Sequence, residues 1–458
     1  MKKILSLLML MNVAVLLLSC TPEKDVAPWR TLIVGESLEG WEKKGGDATY
    51  RVEGGQVVGT TLAGTPNTFL CTKEVFSDFI LEYEVKLEAP VNSGVQFRSN
   101  SVAEMQNGRV HGYQCEIDPS ERDWSGGIYD EARRGWLYPI DLNPDAKGSY
   151  KHNEWNKFRV EAIGDTIKTW LNGVPMVHLV DDETQSGFIA LQVHSIKEDK
   201  DANIEIRWRD VRVITENPGK YTQSTPLPVH NNFNQLTFSE EKWGWKMLWD
   251  GETTDGWKGA KIDEFPASPG PEQGWRIEDG VLTIYESGGG ESKSAGDIVT
   301  TSRYSDFVLK VDFKITPGAN SGIKYYVDTD LNKGEGSAIG LEYQILDDEL
   351  HPDAKLGNHE GSRTLASLYD LIKSENKFPR AMGEWNHAMI VSDSLHVEHW
   401  LNGRKTLEYE RKSPEYRQLV AESKYNTWDG FGELPEGQLL LQDHGNTVSF
   451  RNIKIKTN

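Results

Sequence analysis

The stretch FSDFILEYEVKLEAPVNSGVQFRS at residues 76–99 returns without a gap as YSDFVLKVDFKITPGANSGIKYYV at 304–327. EWN at 154–156 recurs at 384–386, WLNG at 170–173 recurs at 400–403, and ALQVH (190–194) is answered by LLQDH (440–444). Trp155 is as far from Trp170 as Trp385 is from Trp400. Such preserved order and spacing mean a duplication, so any fold proposed for one copy must suit the other. A period of about 230 residues marks tandem domains rather than a solenoid. The copies span 29–215 and 244–458. Between them lies a linker at 216–243, rich in Pro, Asn, Thr and Ser. A length of 458 residues also asks for more than one core.

Within each copy the pattern is β. FILEYEVKL, SGVQFRS, KFRVEAIGDTIKTWLNG and ANIEIRWRDVRVI alternate apolar and polar residues between Gly, Asn and Asp turns. LNG in both copies predicts a tight hairpin, because Asn-Gly accepts positive φ. Many short antiparallel strands per copy predict an all-β chain of two tandem two-sheet sandwiches. The best helix candidate is SPEYRQLVAES at 413–423.

The N-terminus carries Lys2 and Lys3, a short apolar run, and LLSC ending at Cys20. This resembles a bacterial lipoprotein signal, with 1–19 removed, Cys20 lipidated and 20–28 a polar tether. The expected location is the cell envelope, anchored by lipid only, on the outer membrane. The net charge of −20 disfavours nucleic acid as a partner. Cys71 and Cys115 could form one disulfide or remain buried thiols.

Period two assigns side chains to faces. Gln96 and Arg98 share one, as do Lys324 and Tyr326; Gln192 pairs with His194, and Gln442 with His444. Gln114 and Glu116 leave the apolar zigzag in one copy, Glu342 and Gln344 in the other. Each copy thus offers a cation, a carboxylate, amides and an imidazole on one polar surface.

LWDGETTDGW, WRIEDG (275–280), ANSGI, LEYQILDD, EWN, HWLNG and LLQDHGNTVSFRNIKI together resemble the 3-keto-disaccharide hydrolase family, over essentially all of 245–457. The first copy matches more loosely: LIVGESLEGW lacks the opening Asp-Gly, and LQVHSI lacks the His-Gly pair. The resemblance implies a concanavalin-like (lectin/glucanase) jelly roll and cleavage of glycosides already oxidised to the ketone at sugar C3, by lyase or hydrolase chemistry. A C3 ketone acidifies the C2 hydrogen, so a base can remove it and the C1 aglycone can leave. That requires a general base, an electrophile for the enolate and hydroxyl-binding groups. In the second copy His444 and Glu342 are candidate bases, Lys324 the electrophile, and Gln344, Gln442 and Tyr369 substrate-binding. In the first copy the corresponding residues are His194, Glu116 and Arg98, with Gln114, Gln192 and Tyr129. The residues single out no cofactor; a divalent cation held by Asp347, Asp348 and His351 could replace the lysine. An upstream sugar oxidoreductase is an implied partner.

Two rivals remain. EIDPSE fits the Glu-x-Asp-x-x-Glu pattern of laminarinase-type retaining glucanases, but Pro119 interrupts the strand that must align those carboxylates. A sugar-binding sandwich without catalysis is the other.

Overall fold

The computed structural model describes residues 27–288, 292, 295–331 and 338–457. Cys20 and the expected signal segment lie outside the described residues. The chain is nearly all β, and each repeat is a pair of facing antiparallel sheets. The first repeat packs a nine-stranded sheet against a seven-stranded one, the second an eight-stranded sheet against a five-stranded one. Each repeat encloses its own core. Val95, Phe97, Tyr113 and Cys115 belong to the first; Ile323, Tyr325, Leu341, Tyr343 and Ile345 belong to the second. All nine are essentially inaccessible to solvent, which commits the alternate residues of those strands to the outer face.

The smaller sheet of each repeat carries that outer face. In the second repeat its order is Trp257–Gly259, Ile298–Thr300, Gln438–Leu441, Asn320–Asp328 and Ile339–Leu346. The first repeat has the same arrangement but adds Ile128–Glu131 and Gly135–Tyr138 beyond its His111–Ile117 strand. The second repeat instead sends chain over the face as the helix Pro414–Ala421 and the 3-10 turn Lys424–Thr427. That helix is the one expected from the sequence; Ser413 caps it by accepting from Tyr416 N at 3.1 Å.

The paired EWN and LNG motifs form one knot. Asn172 (φ 50°) and Gly173 (φ 84°) make a two-residue turn with both φ positive, as do Asn402 and Gly403. The Asn172 amide donates to Asn156 Oδ1 at 2.9 Å, and Asn402 to Asn386 Oδ1 at 2.9 Å. These motifs shape hairpins and contribute nothing to the polar face.

Cys71 and Cys115 are buried free thiols. The polar linker is more than a tether. His230–Asn231 pairs in parallel with Val174–Val180, and Phe238–Lys242 forms a short helix between the repeats. Among the described residues no helix is long and apolar enough to cross a membrane.

Candidate functional site

In the second repeat Lys324 lies directly across from Glu342, and Gly322 across from Gln344. On the other flank Gln442 N donates to Gly322 O at 3.0 Å and Ser321 Oγ to Gln442 O at 2.8 Å, which sets the strand end that carries Gln442 and His444. These three strands, with the overlying chain, enclose a cavity of about 200 Å³ lined by Asn320, Lys324, Glu342, Tyr369, Lys424, Tyr425, Trp428, Gln442 and His444. Lys324, Glu342 and Gln442 are at least nine-tenths buried.

Local sequence explains each placement. A Cβ on Gly322 would lie 2.3 Å from Glu342 Oε1, so glycine there is what lets the Glu342 carboxylate lie across the strand. In the Asp-His-Gly run, Asp443 accepts from Gly445 N at 3.0 Å and from Gly296 N at 2.9 Å, while Gly445 takes φ 84°. The turn holds His444 at the rim, where its Nε2 is 3.3 Å from Asn320 Nδ2 and its ring 5.9 Å from His351. Lys324 Nζ donates to Ala338 O at 3.3 Å and is 3.8 Å from Asp297 Oδ2. Gln344 lies beneath the cavity rather than lining it; with its amide nitrogen donating, it reaches Glu342 Oε1 at 3.1 Å. Tyr369 donates its hydroxyl to Asp353 at 2.8 Å, and burial pushes its pKa up.

The first repeat repeats the frame with different chemistry. Its cleft, about 840 Å³, is lined by Asn92, Arg109, Gln114, Glu116, Arg122, Tyr129, Glu131, Trp136, Gln192 and His194, among others. Gln96 pairs across with Gln114, and Gly94 with Glu116. Gln96 therefore takes the place of Lys324, and Gln114 that of Glu342. Gln96 Nε2 donates to Gln114 Oε1 at 2.7 Å, Gln114 Nε2 to Glu116 Oε2 at 2.7 Å, and Asn92 Nδ2 to Glu116 Oε1 at 2.6 Å. Burial pushes the Glu116 carboxyl up to about 7 against the pull of the Asn92 and Gln114 amides. Burial similarly raises the Tyr129 hydroxyl to about 12. His194 lines the cleft with its Nδ1 2.8 Å from Ser195 O.

Arg98 does not join this group, contrary to expectation. A bulge after Phe97, with Arg98 at φ 45°, breaks the alternation. Its guanidinium is buried instead against Ser77 O at 2.7 Å, Gly164 O at 2.7 Å and Asp78 at 3.0 Å.

The expected cation ligands do not converge either. Asp347 accepts from the backbone N–H groups of Gly318, Glu349 and Leu350. Asp348 holds Leu365 N and the Lys377 ammonium, and His351 Nδ1 accepts from Asp353 N. Held by these separate N–H donors, the three do not bring their ligand atoms together as a cation site among the described residues, so the set does not fit a divalent ion. The glucanase geometry also fails to assemble. The His111–Ile117 strand stops before Pro119, Asp118 pairs with Arg122 at 2.8 Å, and Glu121 is exposed outside the cleft lining.

Sequence reasoning missed Asn320 and Asn92, although both stand two residues before the glycine of the repeated Asn-Ser-Gly and so share its face. Lys424, Tyr425 and Trp428 were also missed. They lie on chain that covers only the second repeat, so no duplicate reveals them.

The family model for the 3-keto-alpha-glucoside-1,2-lyase-like domain matches residues 28–214 and 244–456. The chain belongs to this family. A Bacteroides thetaiotaomicron protein named 3-keto-disaccharide hydrolase is 35% identical over 233 residues, covering 46% of this chain and 78% of that protein. Among solved structures, a Parabacteroides distasonis protein described as a glycosyl hydrolase is 32% identical, covering 49% of this chain and 99% of its own, with a TM-score of 0.41. A carbohydrate-binding module from Bacillus subtilis is 18% identical, covering 38% of this chain and 93% of its own, with a TM-score of 0.29. Family membership thus extends to both copies, including the looser first one.

Proposed function

We propose that the second repeat cleaves 3-keto-glycosides. One observation carries the reading: the small cavity of this family domain gathers Lys324, Glu342, Gln442 and His444 from neighbouring strand positions. Its volume suits a single sugar ring. With the C3 carbonyl oxygen toward the Lys324 ammonium, His444 or Glu342 takes the C2 proton, and the C–H electron pair forms the enolate, stabilised by the lysine. Collapse of the enolate restores the C3 carbonyl, forms the C1–C2 double bond and expels the aglycone with the C1–O pair. The aglycone oxygen then takes a proton. Water adding across C1 and C2 would convert the outcome to net hydrolysis. Asn320 and Gln442 orient ring hydroxyls. An enzyme that oxidises the sugar C3 hydroxyl must act first.

His444→Ala and Glu342→Gln, made separately, should each lower turnover of a 3-keto glycoside by about 10²- to 10⁴-fold with the fold intact. Aglycone release from unoxidised glucosides at the same rate would falsify the keto mechanism. Lipid attachment at Cys20 is proposed from LLSC alone. Cys20→Ser should then abolish lipid labelling, and labelling that persists would exclude that residue.

A further inference from the structure

Neutral amides occupy the two positions that carry the cation and the carboxylate of the second site. Gln96 and Gln114 hydrogen-bond to each other where Lys324 and Glu342 face each other. The first repeat therefore lacks the facing lysine and carboxylate of the second site, and the guanidinium groups in its lining are held by Glu131 and Asp118. Yet it keeps an open cleft about four times larger, roughly 840 against 200 Å³. That room suits several linked sugar rings rather than one.

A second observation is independent of the first. Gln192 lines this cleft with no measurable exposure, and neither its amide oxygen nor its amide nitrogen finds a partner among the described residues. A buried amide without partners is costly unless something supplies a donor and an acceptor together. A sugar hydroxyl does both. Tyr129, half-buried and packed edge to face on the buried Trp136 at 5.2 Å, gives one wall an aromatic surface for a ring face.

The cleft's charges are internally matched. Arg109 pairs with Glu131 at 2.9 Å and Arg122 with Asp118 at 2.8 Å. Glu116, raised by burial, is largely protonated below neutrality. No excess of either sign invites an acidic or basic ligand.

We propose that the first repeat is a non-catalytic site for an uncharged, unoxidised oligosaccharide, with Gln192 as its central hydroxyl partner. The proposal stands on the first cleft alone and does not depend on the second repeat being catalytic.

The test is calorimetric titration of the full chain with maltotetraose, cellotetraose and laminaritetraose. One or more should bind without being cleaved. Gln192→Leu should weaken that binding about tenfold or more, the loss expected when a paired buried amide is removed, while Glu342→Gln leaves it unchanged. In the unliganded protein Gln192→Leu should raise the unfolding midpoint, because it removes unpartnered polar atoms. Should that variant fail to fold, Tyr129→Ala at the cleft wall carries the same expectation of weaker binding. The proposal is overturned if no tetrasaccharide binds, if bound sugar is hydrolysed, or if affinity follows Glu342→Gln and ignores the first-cleft variants.

Discussion

A methyl group on residue 322 would meet the end of a side chain, whereas one on residue 437 would meet backbone. The Gly322 position approaches Glu342 Oε1 at 2.3 Å, and the Gly437 position approaches Tyr326 Cα at 2.3 Å. Gly322→Ala should therefore displace the carboxylate and cut turnover at least tenfold with little change in unfolding midpoint. Gly437→Ala should destabilise the fold by about 1–3 kcal/mol, the range for overpacking; urea denaturation beside initial rates separates the two. Glu116 has a pH signature. Its folded pKa of about 7 lies above its ordinary 4.5. The stability it contributes is full below pH 4.5 and is lost as pH rises through about 7, by about 3 kcal/mol at most. Glu116→Gln should flatten that part of the stability profile. Alternation alone singled out Lys324, Glu342, Gln442 and His444, since a period of two needs no knowledge of the fold. It misplaced Arg98 because nothing in GVQFRS announces a bulge. Matching by parity rather than by repeat register also equated Arg98 with Lys324, where the structure sets Gln96.

At the scale of elements, the short linker helix holds more than its composition suggests. Thr237 and Glu240 form a reciprocal capping box, Thr237 Oγ1 donates to Arg134 O at 2.7 Å, and buried Glu240 pairs with Lys454 of the second repeat at 3.0 Å. Thr237→Ala should cost about 1 kcal/mol. Lys454→Met should cost about 3–5 kcal/mol by leaving a buried carboxylate unpaired, and adding Glu240→Gln should recover most of it. A double-mutant cycle in urea checks both. The sandwich strands were legible because apolar alternation is dense and repeated. The helix was not, because five residues make little pattern and its long-range partners, Arg134 and Lys454, lie in the two repeats, although the Thr-x-x-Glu spacing of its capping box was there to be seen.

At the scale of the whole molecule, the repeats meet through charge. Asp182 of the first receives Arg451 at 2.5 Å, and Arg380 donates to the Asp182 and Glu183 carbonyls. His387 pairs with Asp312 at 2.6 Å and lies 3.8 Å from Asp182. Burial opposes charge on His387, but Asp312 and Glu183 outweigh it against Arg380 and hold its pKa at about 9. The sign is that of a raised base: its stabilisation is complete below pH 6.5 and is lost as pH rises through about 9. The advantage of wild type over His387→Gln in unfolding midpoint should shrink across that window, and a constant difference would rule the imidazolium out. The two-domain division was readable from repetition. This junction was not, because Asp312, His387 and Arg451 stand on strands that both copies share, and nothing along the chain says that they meet Asp182 of the other repeat. The two copies also hold the same carboxylate and amide in opposite order along equivalent strands, Gln114 then Glu116, Glu342 then Gln344. Two strand positions separate the alternatives, about 7 Å. Divergence after duplication has thus changed the address of one carboxyl group without changing what that strand carries, and an inhibitor shaped to the acid of one repeat would present the wrong end to the other.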